Sequence, residues 1–197
     1  MENELVEYFG KTWNEKVKET FDQYLSIPNV SPAFDSDWEN TGNIEKVVTL
    51  FESWAKQNAP NNAKIFVQRI KNKTPLIVID IPARNYDKDD CILLYGHLDK
   101  QPPMDGWEEN IEPFAPTYIG DKIYGRGSAD DGYAIFTSVL ACSYLEENDI
   151  AHARMLIIIE ACEESGSPDL PAHLDQLNNN LATPLNDVSL VVCLDSG

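Results

Sequence analysis

The chain has 197 residues, 43% of them apolar and 24% charged, the balance of a globular domain with its own core rather than of a disordered or membrane-embedded chain. A formal charge of −18 and a pI near 4.3 exclude non-specific binding to nucleic acid or to an anionic membrane surface, which needs clustered Lys and Arg to neutralise phosphate. The longest apolar runs, such as Met155 to Ile159 and Val188 to Leu194, fall far short of the roughly 20 residues a bilayer span requires.

The start Met1-Glu2-Asn3-Glu4-Leu5 has neither the cationic opening nor the apolar stretch of a secretory signal, so a cytoplasmic address is expected. Cys91, Cys142, Cys162 and Cys193 show no C-x-x-C spacing and sit among apolar neighbours. All four are expected to be reduced and structural.

In chain order, Leu5, Phe9, Trp13, Val17, Phe21 and Leu25 recur at intervals of four and predict an amphipathic helix over 3–25 that ends at Ile27-Pro28. A loop from Pro28 to Asn40 follows, then a second helix from Asn43 to Asn58 that buries Ile44, Val47, Val48, Phe51 and Trp54. Lys64 to Ile70 and Leu76 to Ile81 read as an antiparallel strand pair. Cys91 to Tyr95, Arg154 to Glu160 and Val188 to Leu194 are short continuous apolar runs, the pattern of strands buried on both faces. Helices are expected between them, about Asp131 to Asn148 and Asp169 to Leu181. Strands alternating with helices predict an α/β fold, three layers α/β/α around a mixed, largely parallel sheet.

Ligands of open α/β sheets bind beyond the carboxyl ends of the strands. Each core run is followed there by metal-type residues: His97-Leu98-Asp99 after the first, Glu163-Glu164 after the second and Asp195 after the third, while Asp130-Asp131 opens a helix. Singly, each is better explained by capping or chance. Their joint placement, in a chain with only three histidines, suits a borderline divalent cation such as zinc, manganese or cobalt. One carboxylate can bridge two metals about 3.5 to 4 Å apart, and an unligated one nearby can carry protons.

Gly96-His97-Leu98-Asp99, Gly106-Trp107, Pro113-Phe114, Tyr124-Gly125-Arg126-Gly127-Ser128-Ala129-Asp130-Asp131, Glu163-Glu164-Ser165-Gly166-Ser167 and Leu194-Asp195-Ser196-Gly197 together resemble the two-zinc metallopeptidases. That family includes carnosinases, glutamate carboxypeptidase, aminoacylase, succinyl-diaminopimelate desuccinylase and acetylornithine deacetylase, and the resemblance is greatest to the carnosinase and dipeptidase branch. It implies that His97, Asp130, Glu164 and Asp195 ligate two divalent metal ions, with Asp130 bridging, His97 and Asp195 on one metal and Glu164 on the other. Asp99 would orient His97 through its other ring nitrogen, and Glu163 would be the general base. The substrate implied is a short peptide or, alternatively, an N-acyl amino acid, and the full-length protein would be a homodimer. The family continues its second acidic motif as Asp-Asp-Lys-Gly, whereas Gly132-Tyr133 follow here.

The resemblance also implies that 1–197 is the N-terminal part of a catalytic domain, with an inserted dimerisation domain and a C-terminal segment carrying a further metal-binding His lying outside it. The 197-residue chain is then expected to hold one metal better than two and to turn over very slowly; the other reading is a truncated domain that only binds metal. His152 and His173 are assigned packing or surface roles, and Trp107, Phe114, Tyr118 and Tyr124 are expected to pin a Pro-rich connection by burial. Gly125-Arg126-Gly127 lacks the rest of a phosphate loop. Adjacent Glu163 and Glu164 cannot flank a sugar ring as a glycosidase pair does.

Overall fold

The computed structural model describes residues 2–180 and 185–195. It opens with α1 (Glu2–Thr12), a π-helical turn (Trp13–Val17) and α2 (Lys18–Ser26), one continuous helical segment where 3–25 was expected. An apolar stripe repeating every four residues drifts by about 40° per step around an α-helix of 3.6 residues per turn, and the wider π turn takes up part of that drift. Trp54 Nε1 donates to the Lys16 carbonyl inside this turn at 2.6 Å.

The loop after α2 contains a short helix absent from the sequence expectation, α3 (Trp38–Thr41). Gly42, in the left-handed region at φ 66°, ends it and leads into α4 (Asn43–Asn58). Then come β1 (Lys64–Gln68), β2 (Leu76–Ile81), β3 (Cys91–His97) and a hairpin of β4 (Thr117–Ile119) and β5 (Lys122–Tyr124). The hairpin went unpredicted because its strands are only three residues each. The remaining elements are α5 (Ala134–Glu147), β6 (Arg154–Glu160), a 3-10 turn (Glu163–Ser165), α6 (Leu170–Asn180), a second 3-10 turn (Leu185–Asp187) and β7 (Val188–Cys193). Leu181, the expected last residue of the sixth helix, lies outside the described residues, as do Ser196 and Gly197.

The main sheet has the order β1-β2-β6-β3-β7. β1 and β2 pair antiparallel, as do β2 and β6, while β3 runs parallel to both β6 and β7. The sheet is therefore mixed, with helices on both faces. Ile77, Ile79, Ile81, Met155, Ile157 and Ile159 face the layer of α2, α4 and α5, and Leu76, Val78, Leu156 and Ile158 face Leu177 of α6. Each fully buried Leu, Ile or Val contributes about 1.5–3 kcal/mol relative to exposure. Between α2, α4 and α5, the Phe136 ring takes Phe21, Phe51 and Trp54 edge-on at centroid distances of 5.8, 5.1 and 4.6 Å.

Burial of all three apolar runs on both faces holds for β6 alone. The interior of β3 is half-buried, and Leu190, Val191 and Val192 of β7 are 52, 57 and 37% exposed. Among the described residues β7 is an edge strand, paired with β3 alone. Cys91, Cys142 and Cys162 are buried free thiols, but Cys193 on this edge is exposed, a correction to the reading of all four as core residues. Tyr118 is also corrected: its ring is 43% exposed, with Lys18 Nζ 4.0 Å above it.

Candidate metal centre

The carboxyl end of β3 delivers His97, which is 1% exposed. The approach depends on Gly96, where a Cβ would run into Ala134 Cβ and lie 2.6 Å from Asp131 Oδ2. The His97 backbone N–H donates to that same Asp131 oxygen at 3.1 Å, which ties the strand end to the start of α5. His97 Nδ1 lies 3.1 Å from the Asp99 carbonyl oxygen and 3.5 Å from Asp99 Oδ1. With Nδ1–H donating there, Nε2 is turned toward Asp130 Oδ1 at 3.1 Å and toward Glu163 Oε2 and Asp195 Oδ2, both at 3.9 Å.

The Asp99 carboxylate, fully buried, accepts the backbone N–H groups of Glu163 and Glu164, each at 3.1 Å. It thereby fixes the 3-10 turn that presents both glutamates. Glu160 anchors the same turn from below, accepting from Tyr95 Oη at 2.6 Å and Ser167 Oγ at 2.8 Å. Gln101 Nε2 donates to Glu164 Oε2, while Glu164 Oε1 is buried without a hydrogen-bond partner. The Asp130-Asp131 peptide is cis.

A strap after α2 joins these pieces. Asn29 Nδ2 donates to the Leu98 carbonyl at 2.7 Å, Ser31 N to the Lys100 carbonyl at 3.0 Å, and the Ser31 and Ser165 hydroxyls meet at 2.6 Å. None of Tyr24, Asn29, Ser31, Lys100 or Gln101 was singled out from sequence, and Ser165 stood there only as part of the Glu163–Ser167 motif, without a role. The signal available for Lys100 and Gln101 was their place directly after Asp99. Gly132, where the resembling family has Lys, has no room for a side chain because a Cβ would run into the Tyr24 ring.

Crowded carboxylates shape the electrostatics. Burial, with neighbouring acids, pushes Asp131 up to about 7. Burial and the Asp130 charge push Glu164 up to about 7 against the Gln101 hydrogen bond, and burial raises Glu163 as well. For His97, burial opposes the charged form, but the Asp99 hydrogen bond and the charges of Asp99, Asp131 and Asp130 outweigh it and push the imidazole up to about 10. An imidazole nitrogen facing three carboxylates must hold a proton or a cation. His97, Asp130 and Asp195 form one group, and His97, Glu163 and Glu164 another, whose potential ligand atoms all lie within 4.8 Å of one another. The nitrogen and oxygen donors and the orphaned Glu164 oxygen fit a divalent cation.

The other two histidines are buried elsewhere. His152 Nε2 lies 3.2 Å from Glu146 Oε1, and His173 is held by Gln68 and Thr74. Arg126 donates to the Pro102 carbonyl at 3.1 Å.

A mixed α/β sheet with imidazole and carboxylate donors gathered at its strand ends defines an α/β protein with a candidate divalent-cation centre. The chain belongs to peptidase family M20/M25/M40, which it matches over residues 93–191, a stretch containing every candidate site residue except Asp195. It is 28% identical over 147 residues to an uncharacterised metallohydrolase of Methanocaldococcus jannaschii, covering 73% of this chain and 35% of that protein. It is 36% identical over 89 residues to a succinyl-diaminopimelate desuccinylase of Cupriavidus necator, covering 44% of this chain and 22% of that one. With a β-Ala-His dipeptidase of Rattus norvegicus it shares 32% identity over 97 residues, 47% of this chain and 19% of the relative. The chain thus spans about a third or less of these relatives. Among solved structures, human carnosine dipeptidase 1 superposes with a TM-score of 0.73 at 20% identity over 96% of this chain and 40% of its own. A dipeptidase of Saccharomyces cerevisiae gives 0.74 at 21% identity over 99% and 42%. These superpositions establish the shared fold.

Proposed function

We propose that the chain is the N-terminal part of the catalytic domain of a two-metal hydrolase that cleaves amide bonds in short peptides. The observation that carries this is the single His97 Nε2 facing Asp130, Asp195 and Glu163, carboxylates from three separate segments, within 3.9 Å. His97, Asp130 and Asp195 would hold one cation, and Asp130 with Glu164 the other. Bound there, two divalent cations, zinc or alternatively manganese or cobalt, supply an acidified water and a polarised carbonyl.

Glu163 takes a proton from the attacking water and passes it to the leaving amine. Burial raises its carboxyl, which makes the carboxylate a stronger proton acceptor. Asp99 acts twice, as carbonyl acceptor for His97 and as carboxylate acceptor for the glutamate turn. The likeness to a β-Ala-His dipeptidase supports a peptide substrate. The likeness to a desuccinylase supports the second reading, an N-acyl-amino-acid amidohydrolase.

The exposed flank of β7 and the chain's share of its relatives support a longer catalytic unit, and turnover by these 197 residues alone should be very low. A cytoplasmic address and a homodimeric full-length protein belong to the same proposal. Zinc content per chain, measured on the parent and on Asp130→Asn, tests the site: about one zinc held by the parent and lost in the variant supports it, and no zinc in the parent sinks it. Dipeptides assayed beside N-acetyl and N-succinyl amino acids test the substrate class, and selective cleavage of the acyl compounds would overturn the peptidase reading.

A further inference from the structure

Two side chains outside the donor cluster occupy the space beneath it. Tyr24, in the last turn of α2, and Lys100, directly after Asp99, are both 0% exposed. Lys100 Nζ donates to the carbonyls of Tyr24 at 2.7 Å and Ile27 at 2.8 Å, adding a second donor to carbonyls that already accept the backbone N–H groups of Ile27 and Asn29 at the helix end. It also sits 4.0 Å from the centroid of the Tyr24 ring. Capping alone does not require burial, since a surface lysine or water serves a helix end equally well, and burying an amine is costly.

The burial is explained by what lies above. A Cβ on Gly127 would be 2.6 Å from Tyr24 Oη and 2.7 Å from Lys100 Cε, and one on Gly132 would run into the Tyr24 ring. These two glycines close one loop, with the Gly132 N–H donating to the Gly127 carbonyl at 3.2 Å. Asp130 and Asp131 project from that loop to His97, one toward Nε2 and the other toward the backbone N–H. Lys100 is three residues beyond His97 on the same segment, so both sides of the His97–Asp130 contact are referred to one support. The Tyr24 hydroxyl is buried without a hydrogen-bond partner, so it meets the Gly127 side by packing alone, while the ring makes the contact under Gly132.

We propose that Lys100 and Tyr24 are positioning residues that form the floor under the Gly127–Gly132 loop and thereby set the reach of Asp130 toward His97 at the cation site. The proposal rests on the reading of Asp130 as a cation ligand, and its test separates the two.

Lys100→Met, Tyr24→Phe and Tyr24→Leu are compared with the parent at a temperature where circular dichroism shows all to be folded. Two readouts are taken: hydrogen exchange of the 127–132 amides without metal, and zinc affinity by chelator competition. Lys100→Met and Tyr24→Leu are expected to speed loop exchange and to weaken zinc by about 10- to 100-fold, the usual cost of losing a residue that supports a ligand. Tyr24→Phe keeps the ring and should leave both unchanged. A lowered melting temperature with parental loop exchange and zinc affinity would make the pair merely structural and overturn the proposal, as would a Tyr24→Phe defect equal to that of Tyr24→Leu. If Lys100→Met does not fold, the two Tyr24 variants decide alone. A parent that binds no zinc removes the cation reading, while loop exchange still decides whether the floor exists.

Discussion

The Asp99 carboxylate accepts the backbone N–H of Glu163 at 3.1 Å, joining the end of β3 to the turn after β6 across 64 residues of sequence. An asparagine there offers one acceptor oxygen for two N–H groups and turns its own NH2 toward the other. Asp99→Asn should therefore destabilise the fold by about 1–3 kcal/mol, the cost of a buried donor left unpaired, measurable by urea unfolding. It should also weaken zinc about 10- to 100-fold, and unchanged affinity would leave Asp99 a purely architectural residue.

Gly96→Ala places a methyl group against Ala134 and the Asp131 carboxylate. Overpacking of this kind costs about 1–3 kcal/mol, so the variant should melt several degrees lower. Because Asp131 accepts the His97 N–H, zinc binding should weaken as well. A melting temperature equal to the parent's would mean that β3 and α5 separate freely.

Two groups remote from the site, buried His173 and half-buried Asp169, contribute stability that is lost on the acid side. The backbone N–H and hydroxyl of Thr74, with Lys73, hold Asp169 below the usual carboxylate range against the effect of its burial. A depressed carboxyl stabilises the fold above its unfolded pKa of about 3.9, and that contribution is lost as pH falls through the lower folded value. His173 is lowered chiefly by burial, with Nε2–H donating to the Thr74 carbonyl and Nδ1 accepting from Gln68. The fold favours neutral His173, so stability is full above about pH 6.5 and declines from there toward its depressed folded pKa. In urea unfolding from pH 8 to 3 the stability deficit of Asp169→Asn against the parent should be full above about pH 4 and shrink below it. A parental profile in that variant would refute the assignment.

β7 presents an apolar edge with Leu190 and Val191 more than half exposed, a template for pairing with another chain. The isolated 197-residue chain should self-associate as its concentration rises, and Val191→Lys should suppress this in light scattering. Equal scattering by both proteins would show that the edge is not the contact.

Much of the fold was legible because burial follows period. α4 and β2 have the predicted limits since Ile44, Val47, Val48, Phe51 and Trp54 repeat as a helix face and Leu76 to Ile81 as a strand. β7 misled because an edge strand can be as apolar as a central one, and composition does not record which neighbours cover it. The clustering of His97 with the carboxylates was legible because His and carboxylates at strand ends are rare together. The supports were not, since Asn29, Ser31 and Lys100 act through backbone carbonyls that only the folded chain brings near.

The strap carries a consequence for how the protein comes into being. The family match begins at residue 93, yet Asn29 and Ser31 hold the site from 69 and 134 residues away from their partners Leu98 and Ser165. The first helices leave the ribosome long before the turn they must grip, and contacts of such sequence separation form slowly. The candidate cation centre should therefore form late in folding, and a fragment trimmed to the recognisable stretch would keep His97, Asp130, Glu163 and Glu164 without the brace that holds them together.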